Sequence, residues 1–285
     1  PTLMCSVPRF WEKVYAGVQE KIAETTGIKK ALMLDAIRVG KIHNIDYLRK
    51  GKTPPLMLHL KYQFYEKTVY SLLKKTIGIE NGNFFPTAGA AVPDEICEFV
   101  HSVGINMLVG YGLTESTATV SCFQNSGYEI GSVGTVMPDV EVKIGENNEI
   151  LLRGKTITKG YYKKAEATAE AIDKEGWVHT GDAGYLNGDC LYLTERIKDL
   201  FKTSNGKYIS PQALETKLAI DRYIDQIAII ADQRKFVSAL IVPMYGFVKD
   251  YAKEKGIEYK DMEELLQHRL VPRPYRYIAA TVRPL

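Results

Sequence analysis

No charge of either sign dominates this chain: 37 Lys and Arg against 34 Asp and Glu leave a net +3 over 285 residues. Near balance gives no nucleic-acid footprint, and no nucleic-acid partner is expected. Long apolar runs are missing too, and none reaches the ~18 residues that a membrane-spanning helix needs. Cysteine is sparse, with Cys5, Cys97, Cys122 and Cys190 far apart and no C-x-x-C pair. That argues against a disulfide framework or a zinc site and suggests the reduced thiols of a cytoplasmic protein. The five histidines are equally scattered. Internal repeats and low-complexity tracts are absent. The opening, Pro1-Thr-Leu-Met-Cys-Ser6, has neither an initiator methionine nor a signal-peptide pattern, as expected of the interior of something longer.

What is there is ordinary for a globular protein: 45% hydrophobic and 25% charged residues. The length suits one large domain or two smaller ones. Phe10, Val14, Val18 and Ile22 recur at helix spacing after Pro8, which suits a first helical turn. Residues 30–76 continue as helix, broken at Gly51-Lys-Thr-Pro-Pro55. Pro93 and the acids after it predict a helix over Asp94–Ser102. Ile105-Asn-Met-Leu-Val109 reads as a buried strand. Alternating strand, turn and helix is the grammar of an α/β layer. Residues 127–197 read as short strands with glycine turns, which predicts a small antiparallel barrel or sheet. Residues 198–285 read as a small α+β domain with a hairpin of Ile224–Ile230 on Phe236–Val242.

Gly110-Tyr-Gly-Leu-Thr-Glu-Ser116 concentrates an aromatic ring, two glycines, a hydroxyl and a carboxylate at the end of that buried strand. The ring can stack on a base, the hydroxyl can donate to a phosphate, and the carboxylate can hold Mg²⁺. A strand–turn–helix corner with a capping threonine explains the same residues equally well. Three further patches are each weak alone: the small-residue turn Thr87–Pro93, Thr180-Gly-Asp182, and the charged run Glu195-Arg-Ile-Lys-Asp199 with Lys202–Pro211. The last lacks the glycine spacing of a phosphate loop.

Taken in order, these runs resemble the adenylate-forming superfamily of acyl-CoA synthetases, luciferases and peptide-synthetase adenylation domains. The resemblance rests on Y-G-L-T-E, on G-W-x-x-T-G-D from Gly176 to Asp182, and on the run from Glu195 to Glu215. Within it, residues 1–15 and Gly131–Pro138 are similar to the long-chain fatty acyl-CoA synthetases, and the likeness covers roughly residues 1–245. It implies the rear part of a large domain over 1–197, with an α/β subdomain (1–126) and a β-rich one (127–197). An incomplete small domain follows over 198–285. It also implies ATP, Mg²⁺, coenzyme A and a fatty acid as cofactors and substrates. Gly89, Ala90 and Ala91 would line the adenine and Tyr111 would stack on it. Thr114 would donate to the α-phosphate and Glu115 would hold Mg²⁺. Asp182 would accept from the ribose hydroxyls, with Arg196 near ribose and phosphate. Lys198 would be the hinge, and Gly206 would lie in a loop that swings toward the site for thioester formation.

The family pattern is not complete in these residues. Its Ser/Thr/Gly-rich phosphate loop with a lysine has no counterpart here, and no lysine follows Lys260. The given chain is therefore expected to be an inactive fragment that releases no pyrophosphate. Its basic tail, Arg269–Leu285, is more plainly a solvated end than a peripheral contact for anionic lipid. Two other readings stay open. One is an adenylating enzyme for another carboxylic acid. The other is a non-catalytic nucleotide-binding module.

Overall fold

The computed structural model describes residues 1–202, 208–221, 223–231 and 236–268. They divide into two compact units, Pro1–Thr194 and a second that begins at Glu195.

In the first unit, α1 (Pro8–Glu24) starts with proline in its first turn, where a missing N–H costs nothing. Its central anchor is Trp11, fully buried, while Phe10, Val14 and Val18 are only half-buried. Burying an aromatic of that size removes roughly 200 Å² from water, or about 5 kcal/mol, so the indole sets the helix orientation. Next come α2 (Gly27–Gly40), α3 (Leu56–Tyr65) and α4 (Ser71–Thr76). The helical pattern expected over 30–76 is present, but Lys41–Tyr47 and Glu66–Tyr70 wind as wider π turns. After β1 (Phe85–Thr87), α5 (Asp94–Ser102) has the predicted bounds. Asp94 and Glu95 sit at its positive end, and Ile96, Phe99 and Val100 face the core. β2 (Met107–Tyr111) begins two residues later than the apolar run suggests.

β3 (Ser121–Cys122) and β4 (Thr135–Val136) are short. β5 (Val140–Ile144) and β6 (Glu149–Gly154) form an antiparallel hairpin. α6 (Ala165–Ala171) precedes β7 (Val178–Asn187) and β8 (Cys190–Arg196). Val178–His179 and Ala183–Leu186, on either side of Gly181, belong to one strand. β1 and β2 pair in parallel, and the antiparallel strands extend that pair into one sheet of order β1-β2-β3-β4-β8-β7-β6-β5. Four strand spacings lie between β2 and β7, about 19 Å if the sheet were flat. Yet the Tyr111 phenol donates to Asp182 Oδ2 across 2.8 Å. The sheet therefore curls on itself. A second core fills the curl, with Tyr111, Val120, Ile150, Leu152, Val178 and Leu191.

In the second unit, β9 (Phe201–Lys202) pairs with β10 (Tyr208–Ile209), and α7 (Pro211–Leu218) follows. β11 (Ile224–Ile230) and β12 (Ser238–Pro243) form the expected antiparallel pair. α8 (Tyr245–Glu254) and α9 (Met262–Gln267) close a small core of Val248, Ala252, Ile257 and Leu265. The Asp261 carboxylate caps α9 by accepting from the Glu264 N–H at 2.8 Å. Among the described residues no helix is long and apolar enough to cross a membrane.

Candidate functional site

Parallel pairing of β1 and β2 sets Thr87 opposite Val109. Loop 88–93 and loop 112–118 therefore leave the sheet at the same carboxyl edge, where open α/β sheets bind ligands. The base of the first loop is pinned from below. The Trp11 indole N–H donates to Ser6 Oγ and to Thr87 Oγ1, both at 2.9 Å. Beyond Thr87 the chain is open: Gly89, Ala90 and Ala91 are exposed, and Gly89 holds φ +93°. Backbone without bulky side chains is thus offered at this edge.

The second loop is built differently. Gly112 packs so closely that a Cβ there would lie 1.6 Å from the Ala118 carbonyl oxygen. Thr114–Ser116 form one 3₁₀ turn, followed by Thr117 and Ala118 at φ +52° and +78°. Left-handed backbone at non-glycine residues is strained and persists only where neighbours hold it. The neighbours are in loop 155–164. The Thr158 N–H donates to the Glu115 carbonyl at 2.7 Å, and Thr117 Oγ1 donates to the Thr156 carbonyl at 2.6 Å. The Tyr161 phenol donates to Glu115 Oε1 at 2.7 Å. Thr114 is exposed beside them.

Asp182 reaches this edge through a bulge in β7. Glu149 pairs with Ala183 and Leu151 with His179, so two extra residues of β7 are accommodated between those pairs. Gly181 takes φ +71° there, a conformation that a side chain would disfavour. Its N–H donates to Glu149 Oε1 at 2.9 Å, and Thr180 Oγ1 donates to the Ile150 carbonyl at 2.7 Å. The Thr-Gly-Asp run is thus a shaped kink within one strand. Tyr111 and Asp182 are buried, at 8% and 7% exposure, so the tyrosine offers a base only a narrow part of its ring.

The structure thus joins Tyr111 to Asp182, with Thr114 and Glu115 on the loop that follows Tyr111 and Gly89–Ala91 on the neighbouring loop. Arg196 ends β8, and its Nε lies 3.9 Å from Asp199 Oδ2 within the second unit. Lys198 lies three residues past the start of that unit, but its side chain is outside the described set, and Gly206 lies outside the described residues. Tyr161 and its loop were not legible as site residues. The only signal was a paired tyrosine among lysines, Lys159-Gly-Tyr-Tyr-Lys-Lys164.

At this edge Glu115 is the carboxylate that the resemblance assigns to a metal ion. Among the described residues no group of three or more His, Cys, Asp or Glu could hold one. That suits Mg²⁺, which commonly takes one or two carboxylates and completes its shell with substrate phosphates and water. Glu115 fits that part: it is half-buried, and its carboxylate is oriented by Tyr161.

The family model described as AMP-binding enzyme matches residues 1–162. The chain belongs to the AMP-binding enzyme family. A peroxisomal long chain acyl-CoA synthetase of Arabidopsis thaliana is 30% identical over 282 residues, covering 93% of this chain and 39% of that protein. A human long-chain-fatty-acid–CoA ligase is 31% identical over 252 residues, covering 85% and 37%. The chain therefore spans about two fifths of the length of these curated relatives. Among solved structures, the adenylation domain of a carboxylate reductase from Mycobacterium chelonae superposes with a TM-score of 0.63 at 21% identity, covering 96% of this chain and 40% of that one. At that identity the likeness shows the fold, that of an adenylation domain. The o-succinylbenzoate–CoA synthetase of Bacillus subtilis, in complex with ATP and magnesium, is 26% identical with a TM-score of 0.52. It covers 61% of this chain and 40% of its own.

Proposed function

We propose that the protein containing this chain activates a long-chain fatty acid with ATP and transfers it to coenzyme A. The observation that carries this is the Tyr111–Asp182 pair, set by the curled sheet beside the Thr114–Glu115 turn. In the first step a carboxylate oxygen attacks the α-phosphorus, the bond to pyrophosphate breaks, and an acyl-adenylate forms. In the second, the thiol of coenzyme A attacks the acyl carbonyl, loses its proton, and AMP leaves. Bound Mg²⁺ would neutralise charge on the phosphates, and Glu115 would hold it.

The chain's own groups have separable tasks. Asp182 accepts from the ribose hydroxyls, and the β7 bulge and the Tyr111 phenol aim it. Tyr111 bounds the adenine, while Gly89, Ala90 and Ala91 offer it backbone. Thr114 donates to the α-phosphate, where charge grows in the transition state. Arg196 adds a cation near ribose and phosphate. The division of the chain at Glu195 supports a hinge at Lys198, about which the second unit would turn for the thioester step. The long-chain relatives favour a fatty acid. The o-succinylbenzoate–CoA synthetase favours the second reading, an aromatic acid.

A pyrophosphate-release assay on the full-length protein with Mg²⁺, ATP and a panel of acids tests both. The expected result is the highest kcat/KM with long-chain fatty acids, and acyl-CoA as product. Preference for an aromatic or short acid would replace the long-chain assignment. Nucleotide binding without turnover of any acid would favour the non-catalytic module.

A further inference from the structure

We propose that Tyr161 is a positioning residue for the Glu115 carboxylate, holding one oxygen so that the group is preset for the Mg²⁺ that accompanies ATP. This rests on the reading of Glu115 as the metal ligand. Three contacts join loop 112–118 to loop 155–164, and they divide into two kinds. The Thr158 N–H to Glu115 carbonyl bond and the Thr117 Oγ1 to Thr156 carbonyl bond hold backbone. The Tyr161 bond alone acts on the carboxylate, at Oε1. The first two act on the backbone of the strained turn and do not involve the phenol. The third therefore has a different consequence: it fixes the rotamer of a side chain that would otherwise sample several.

Tyr161 is itself braced. Its N–H donates to Thr168 Oγ1 at 2.9 Å, and that hydroxyl in turn donates to the Lys164 carbonyl at 2.8 Å. The preceding Gly160 packs against the same threonine so closely that a Cβ would lie 2.5 Å from Thr168 Cγ2. The phenol is thus aimed from α6. A phenol donates to a carboxylate oxygen through its single O–H, which leaves the second oxygen open to a hard cation. Ordering this carboxylate before ATP arrives removes an entropy cost from binding.

The test uses the full-length protein without fatty acid, so that no turnover occurs. Tyr161→Phe, Glu115→Gln and the double variant are titrated calorimetrically with ATP in excess Mg²⁺, and with AMP in EDTA. Tyr161→Phe is expected to weaken Mg·ATP about tenfold, the scale of one hydrogen bond to a charged group, with AMP affinity and thermal midpoint unchanged. It is expected to add nothing in the Glu115→Gln background. Unchanged Mg·ATP affinity, or equal loss for both nucleotides, overturns the positioning role. If Glu115→Gln leaves Mg·ATP affinity intact, the metal-ligand reading fails and the positioning role falls with it. If Glu115→Gln weakens it and Tyr161→Phe does not, the positioning role alone is overturned.

Discussion

Two loops leave the carboxyl edge of the parallel pair, and they are held in opposite ways. The loop after β1 is pinned at Thr87 and then exposed through Ala91. The loop after β2 is strained at Thr117 and Ala118 and laced to a third loop by three hydrogen bonds. An open backbone can adapt to the flat face and edges of a base. A strained, braced turn can hold a hydroxyl and a carboxylate at fixed positions. The difference suits the roles proposed for the two sides. Binding adenine needs contact, whereas stabilising charge at a reacting phosphorus needs groups already in place.

The sharpest way to break the braced loop is Gly112→Ala. The added Cβ would meet a backbone oxygen at 1.6 Å, which no rotamer change can relieve. The expected cost is roughly 3 kcal/mol of stability, with Mg·ATP binding lost. Thermal denaturation and calorimetry measure both, and a variant that melts and binds like the parent would mean the turn is not rigid.

Asp182 comes next, since the proposed function has it bind the ribose from the curled sheet. Asp182→Ala is expected to weaken AMP at least ~30-fold and to cost about 2 kcal/mol of stability, because it removes an acceptor from the buried Tyr111 phenol. Asp182→Asn keeps an acceptor there, so it should lose AMP affinity with a smaller drop in melting temperature. Equal AMP affinity in the parent and both variants would remove Asp182 from the ribose site. The smallest effect belongs to the open loop. A Cβ on Gly89 meets nothing within 4 Å, so Gly89→Ala pays only for its positive φ, about 1 kcal/mol. AMP affinity should stay nearly unchanged. A large loss there would show that the base sits against this backbone more tightly than an adaptable loop allows.

Local signals were the legible ones. Pro93 with Asp94 and Glu95 marked the start of α5, and Pro8 marked that of α1. Each depends on neighbours within a few residues, which the order of residues states directly. Thr180-Gly-Asp182 was less legible. The glycine announced a turn, but whether it joined two strands or kinked one depended on pairing with β6. The helical stripe of α1 was found, yet Trp11 outweighed it because the deepest position belonged to the side chain that also bonds Ser6 and Thr87.

The sequence by itself determined the order of the motifs, the types of most elements and the nucleotide class they point to. Only the tertiary structure decided what stands beside what. Tyr111 and Asp182 meet because the sheet curls, and Glu115 meets Tyr161 because two loops are laced together. Contacts of that kind leave no periodicity in the chain. They exist only once the strands between them have closed around a core, and that closure is a property of the whole packed unit.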